Sequence, residues 1–194
     1  MRSNASVRSL VLALAIAFPA VASAQSLVVK AGISVGKLRL RPDNPPVTTL
    51  PAFSGGVAVQ PQVSFLPGLQ VEALYTRRGV RTTGPLKIQI DYLAVPILER
   101  IKIPLPFPGT LHGFIGPEIA FRTGARLQPN SVDFSDFIKP RGVSLVAGLD
   151  IEIKRLVVDV RYAYGTSNIA ADPAKLGDNY KSRALVAMAC WRFR

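Results

Sequence analysis

Few side chains in this 194-residue sequence could carry out a reaction. There is one histidine, His112, and one cysteine, Cys190, so neither a zinc cluster nor an internal disulfide can be assembled. A histidine base would need a nucleophile within reach, but the residue two along on its face of a strand is Phe114, not a serine. Cys190 lies in an apolar run and reads as a small packing residue. Gly32, Gly36, Gly55, Gly56 and Gly148 open no phosphate loop followed by a helix, so no cofactor and no metal are expected. What remains is charge. The 24 lysines and arginines outnumber 12 acids for a net +12, without the aromatic-interleaved basic stripe that would suggest a nucleic-acid partner.

Where the acids sit is more informative than their number. In Arg141–Gly165, the row Val143, Leu145, Ala147, Leu149, Ile151, Ile153 alternates with Ser144, Gly148, Asp150 and Glu152. After Lys154 and Arg155 the alternation resumes, Leu156, Val158, Val160, Tyr162 and Tyr164 against Asp159 and Arg161. Period two on both sides of a tight turn is a β-hairpin. Its charges fall mid-strand, flanked by aliphatics, as they would if the polar row faced a closed interior.

The rest of the chain repeats this pattern. Strands are expected at Leu27–Leu40, Ala52–Phe65, Leu69–Gly79, Leu86–Ile103, Leu111–Leu127, the two arms of the hairpin, and Ser182–Phe193, which makes eight. Arg41–Pro51 is Pro-rich and reads as loop. Pro96 predicts a bulge in the fourth strand, leaving inside and outside open beyond Asp91. Connections after odd-numbered strands are mostly long or polar, and those after even-numbered strands short or Pro-rich, the phase of an outer-membrane barrel with both termini in the periplasm. At the N-terminus, Arg2 and Arg8 precede the apolar run Leu10–Phe18 and an Ala22-Ser23-Ala24 cleavage pattern. Residues 1–24 therefore read as a cleaved Sec signal peptide and 25–194 as one barrel domain, all-β, antiparallel and up-and-down across a membrane.

The charges test this independently. Glu72, Asp91, Glu118, Asp150, Glu152 and Asp159 all lie on polar rows, with Lys30, Arg78, Arg122, Arg161 and Arg192 available on the same face. A charge in hydrocarbon costs several kcal/mol, whereas one in a lumen can pair, so these residues are expected to form a lumen charge network. Phe53, Tyr75, Phe121, Tyr162 and Tyr164 near the loop ends and Phe65, Trp191 and Phe193 near the turn ends suit two interfacial girdles. Period two alone does not distinguish this from a soluble periplasmic barrel or lipocalin-like ligand carrier, which stays open.

Several short motifs, Tyr75–Gly79 (YTRRG), Asp91–Leu98 (DYLAVPIL), Gly116–Phe121 (GPEIAF), Gly142–Ile153 and Val157–Ile169, resemble in order and spacing the PorT-like family of outer-membrane β-barrels across nearly all of the mature chain. The resemblance implies an eight-stranded membrane barrel and no catalytic residues. Many relatives carry an acid where Ala94 stands, and the chain ends Phe193-Arg194 rather than on an aromatic.

Eight strands leave an interior that side chains fill, which argues against an open pore. A lipid A-modifying enzyme would need its base at the outer leaflet, and this topology puts His112 at the periplasmic end. A non-enzymatic, monomeric barrel with a structural or surface-interaction role is the reading that remains. Its partners would be the outer-membrane assembly machinery and outer-membrane lipids. Lys37, Arg39, Arg41, Arg77, Arg78, Arg81, Arg126, Lys139, Arg141, Lys175, Lys181 and Arg183 fall at or above the outer interface. Of these, Arg77, Arg78, Arg81, Arg126 and Arg141 are candidate contacts for lipopolysaccharide phosphates, whose geometry a guanidinium fork matches.

Overall fold

A computed structural model describes residues 24–39, 48–61, 63–81, 87–106, 108–128, 132–133, 139–167 and 181–193. The expected signal peptide lies outside these residues except for Ala24, as do Arg41 and Lys175. The described residues form strands β1 (Ala24–Arg39), β2 (Thr48–Pro61), β3 (Leu69–Arg81), β4 (Lys87–Ile103), β5 (Thr110–Gln128), β6 (Val132–Asp133), β7 (Arg141–Ile153), β8 (Leu156–Gly165) and β9 (Lys181–Phe193). Each long strand pairs antiparallel with its neighbours in the chain, β4 with β5 and β5 with β7, and β9 returns to β1, so eight strands close a barrel without an edge. β6 is a two-residue ladder against Arg126 and Leu127, inside a stretch expected to be loop.

The strands do not close level. Val71 pairs through Val59 to Leu27. Leu69, two residues lower on β3, leads the other way through Glu99, Ile115, Ala147, Tyr162 and Leu185 to Val35. The mismatch is a shear of about ten residues, which for eight strands tilts them by roughly 40° to the barrel axis.

Alternation then sorts side chains between two environments. Outward stand Leu27, Val29, Ile33 and Val35 of β1, Ile115 and Ile119 of β5, Leu145 and Leu149 of β7, Val158 and Val160 of β8, and Leu185 of β9, all exposed. Ile33 is 56% accessible, a cost no water-facing wall of this size would carry. Phe53, Tyr75, Phe121 and Tyr164 mark one end of this belt, Trp191 and Phe193 the other. Their separation along the tilted strands is roughly 20–25 Å, the height of an outer-membrane apolar band.

β4 departs from expectation. Ile90, Tyr92, Ala94, Leu98 and Arg100 are buried, and Pro96 is fully enclosed with them, so Asp91 stands on the outer face and not in the lumen. The pairing with β3 keeps one register past Pro96, and no bulge forms there. The irregularity is in β5, where Asp91 pairs Gly124 and Tyr92 pairs Arg122, leaving Thr123 extra. β2 also starts earlier than expected. Pro51 lies within it, where the β2–β3 ladder lapses between Leu50 and Ser54 and no amide donor is required. β2 ends at Pro61, and Phe65 stands 82% exposed in the turn that follows.

Candidate functional site

Inside the barrel, charge is matched pair by pair. At mid-height Lys30 Nζ donates to Glu72 Oε1 at 2.7 Å and to Asp159 Oδ2 at 2.8 Å. Arg161 reaches the same two acids, with Nη1 to Glu72 Oε2 at 2.6 Å and Nε to Asp159 Oδ1 at 2.9 Å. Two cations and two anions thus form a neutral quartet, and Asp159 is 0% accessible. Allowing for the tilt, these residues from β1, β3 and β8 lie within about two residues of one height. Isolated buried charges would each cost several kcal/mol, and only mutual pairing of this kind offsets it.

Below the quartet, toward the short turns, polar side chains continue unbroken. Gln70 donates to Glu72, Gln60 to Gln70 at 3.0 Å, and Arg192 to Gln60 at 2.7 Å and Ser26 at 3.1 Å, while Arg192 also pairs with Glu152 at 2.9 Å. Beside this chain Arg100 grips Asp150 with Nη2 at 2.7 Å from Oδ1 and Nε at 3.1 Å from Oδ2. His112 Nδ1 stands 2.9 Å from Asp150 Oδ1 and 3.0 Å from Arg100 Nη2. Above the quartet, Arg78 pairs with Glu118 at 3.2 Å and stacks over Tyr92 at 5.1 Å. The Arg161 guanidinium lies over the Phe114 ring at 5.1 Å, and that ring packs onto Gly148, where an added Cβ would stand 2.6 Å from it. Glycine is required there because the ring and the Val160 carbonyl occupy the space of any side chain.

Of the residues singled out in the sequence, Lys30, Glu72, Glu118, Asp150, Glu152, Asp159 and Arg161 are brought into this network. Arg122 lies on the lumen face at the loop end, in register with Tyr92. Asp91 is instead outward, its Oδ1 2.7 Å from Arg77 Nε, with Arg77 Nη2 also donating to the Tyr75 hydroxyl at 3.1 Å. Among the rim candidates, Arg77, Arg126 and Arg141 face outward, while Arg78 is buried in the lumen and so is not on the rim. The Arg81 side chain lies outside the described residues. Arg100 was not anticipated. Arg100 belongs to the strand whose phase was open, and a phase carried back from the buried Leu98 would have placed it inward.

At the loop end of the outer face the character changes. Arg141 stacks over Phe121 at 5.8 Å and Arg183 over Tyr164 at 5.0 Å. No helix among the described residues is long and apolar enough to cross a membrane, which leaves crossing by strands untouched. No group of histidines, cysteines and acids among them could hold a metal.

Neisserial surface protein A superposes with a TM-score of 0.60 at 14% identity, over 86% of this chain and 97% of that one. Ail, the attachment invasion locus protein of Yersinia pestis, solved with the heparin analogue sucrose octasulfate, matches at 15% identity and a TM-score of 0.44, over 87% and 97%. No curated protein matches the sequence. The family model described as outer membrane protein beta-barrel domain matches residues 23–171. Together with a closed barrel, a charged interior and an exposed apolar belt, that match establishes the chain as a member of the outer membrane protein beta-barrel domain family, resident in the outer membrane.

Proposed function

We propose that this protein is a non-enzymatic, monomeric outer-membrane barrel whose lumen is a structural plug and whose activity is contact at the loop end, where a basic rim meets lipopolysaccharide phosphates. The observation that carries the reading is the contrast in charge balance. Among the described residues every lumen acid has a cationic partner, whereas at the outward loop end the cations Lys87, Arg126, Arg141 and Arg183 stand beside the Arg77–Asp91 pair and outnumber the one further acid, Asp133, which is in register with Arg126. Side chains fill the interior of an eight-stranded barrel, so conduction is not part of the proposal. His112, engaged with Asp150 and Arg100 at the turn end, has no role as an outer-leaflet base.

The orientation follows the family pattern, with short turns and both termini in the periplasm, and entry to the membrane follows Sec export and the barrel-assembly machinery. The order of the short motifs supports placing the chain among PorT-like barrels within its family. The test is the variant Arg77→Gln, Arg126→Gln, Arg141→Gln, Arg183→Gln. Co-purifying lipopolysaccharide is expected to fall by about tenfold or more, since charge-assisted hydrogen bonds contribute about 1.5–3 kcal/mol each. An unchanged lipid content in a correctly folded variant overturns the rim reading.

A further inference from the structure

On the eight long strands two acids face outward, Asp91 near the loop end and Glu99 near the turn end. Asp91 is paired with Arg77 at 2.7 Å. Glu99 makes no ion pair among the described residues, and its Oε2 is buried without a hydrogen-bond partner. The positions left undescribed in the two flanking turns are Gln62 and Phe107, and neither is a cation. The nearest cations in sequence belong to the inward row, Arg100 bound to Asp150 and Lys102 in register with His112.

The setting of Glu99 is apolar. It pairs with Leu69 of β3 on one side and Ile115 of β5 on the other, and it lies between Ile97 and Ile101 along β4. Ile101 and Ile103 carry the exposed aliphatic row past it toward the turn, so Glu99 interrupts the belt rather than ending it. When the tilt is taken into account, it lies within about one residue of the height of Trp191 in the turn-end girdle. The side chain curls toward the β2–β3 turn, where its Oε1 is 2.8 Å from the place a Cβ on Gly68 would occupy. The Arg100 amide donates to the Gly68 carbonyl at 3.0 Å and ties that turn to β4.

An ionisable group on a membrane-spanning wall is costly unless something pairs with it. The outward cations of the described wall stand at the loop end or in the β7–β8 turn, so a second copy would bring none to the height of Glu99. The orientation given above sets this end of the belt in the periplasmic leaflet, where glycerophospholipid headgroups lie at the girdle. We infer that Glu99, with Leu69, Ile101 and Ile115 around it, is a headgroup site for phosphatidylethanolamine on the outer wall of β3–β5. The primary ammonium donates to the carboxylate, and an acyl chain runs up the wall over Ile115 and Ile97. A choline headgroup has no N–H to donate, and a glycerol headgroup has no cation. This site lies at the opposite end of the belt from the basic rim and shares no residue with it, so either can fail alone.

The experiment is native mass spectrometry of the folded barrel in detergent, titrated separately with phosphatidylethanolamine, phosphatidylcholine and phosphatidylglycerol of identical acyl chains. Wild-type protein is expected to retain one phosphatidylethanolamine at least about tenfold more tightly than either of the others, the scale of one charge-assisted hydrogen bond. Glu99→Gln is expected to abolish that preference, Glu99→Asp to keep part of it, and Asp91→Asn to keep all of it. Equal retention of the three lipids by wild-type protein overturns the site, whatever the folding of the variants. A preference that survives Glu99→Gln also overturns it. If Glu99→Gln instead lowers retention of all three lipids alike, the side chain supports the turn at Gly68 and the headgroup site is wrong. Phosphatidylglycerol retained as well as phosphatidylethanolamine once magnesium is added would mean a bridging metal ion, and would overturn selection of the amine.

Discussion

Arg161 and Arg183 lie on adjacent strands, on opposite faces of one wall. Arg161 points inward, is buried, and shares two carboxylates with Lys30. Arg183 points outward, rests on a tyrosine ring, and makes no ion pair among the described residues. Both guanidiniums stack on an aromatic, Phe114 inside and Tyr164 outside, so stacking alone does not set their roles. What differs is the number of anions within reach. Inside, charge closes on itself and supplies register and stability. Outside, among the described residues, cations outnumber acids.

Substitutions at neighbouring positions test that contrast, the largest effect first. Asp159→Leu removes one anion of the quartet and leaves Lys30 and Arg161 to share Glu72, which should cost roughly 3–5 kcal/mol. Val160→Leu, one residue on but facing lipid, should cost less than about 1 kcal/mol. Urea unfolding of the folded barrel in phospholipid vesicles measures both, and equal midpoints would remove the quartet from the stability argument.

Val160→Arg sharpens the same boundary from the other side. Position 160 sits mid-belt opposite Leu149 and Ala187, and a cation near the membrane midplane should cost about 2–4 kcal/mol in that assay. A negligible cost would mean that position 160 does not face hydrocarbon. The smallest effect is expected at the rim, where Arg77→Gln breaks a pair whose arginine side chain is 41% exposed. The loss should stay below about 1 kcal/mol and vanish as salt is raised, because exposed pairs are screened.

The hairpin β7–β8 was legible because its acids interrupt uniform aliphatic rows: Asp150, Glu152 and Asp159 cannot face lipid, and their parity fixes both strands. β4 was not legible for the converse reason. Ile90, Tyr92, Ala94, Pro96 and Leu98 fill the lumen, and Leu93, Val95 and Ile97 face outward, so both rows are apolar and hydrophobicity carries no phase. Asp91, the one acid early in that strand, then suggested the wrong face, because it marks the height of the rim rather than the interior. Thr123 misleads in another way. A bulge changes pairing on the strand opposite Asp91 and Tyr92, and nothing in their own sequence records it.

The seam between β1 and β9 gives the quartet a second meaning, in time rather than in space. Leu27 pairs with Phe193, so the first strand of the described barrel waits for the last before the wall can close. Lys30 and Glu72 come from the N-terminal side of that seam, Asp159 and Arg161 from the C-terminal side. A sheet still open there keeps Lys30–Glu72 and Arg161–Asp159 as two separate pairs and lacks the pairs that cross the seam, Lys30–Asp159 and Arg161–Glu72, so water must go on solvating each half. Closure over so long a loop is entropically slow, and its electrostatic reward arrives all at once, when the two halves meet. The ion network is thus a latch for the final step of assembly, and partly zipped barrels are expected to be sparsely populated because none of them can yet set it.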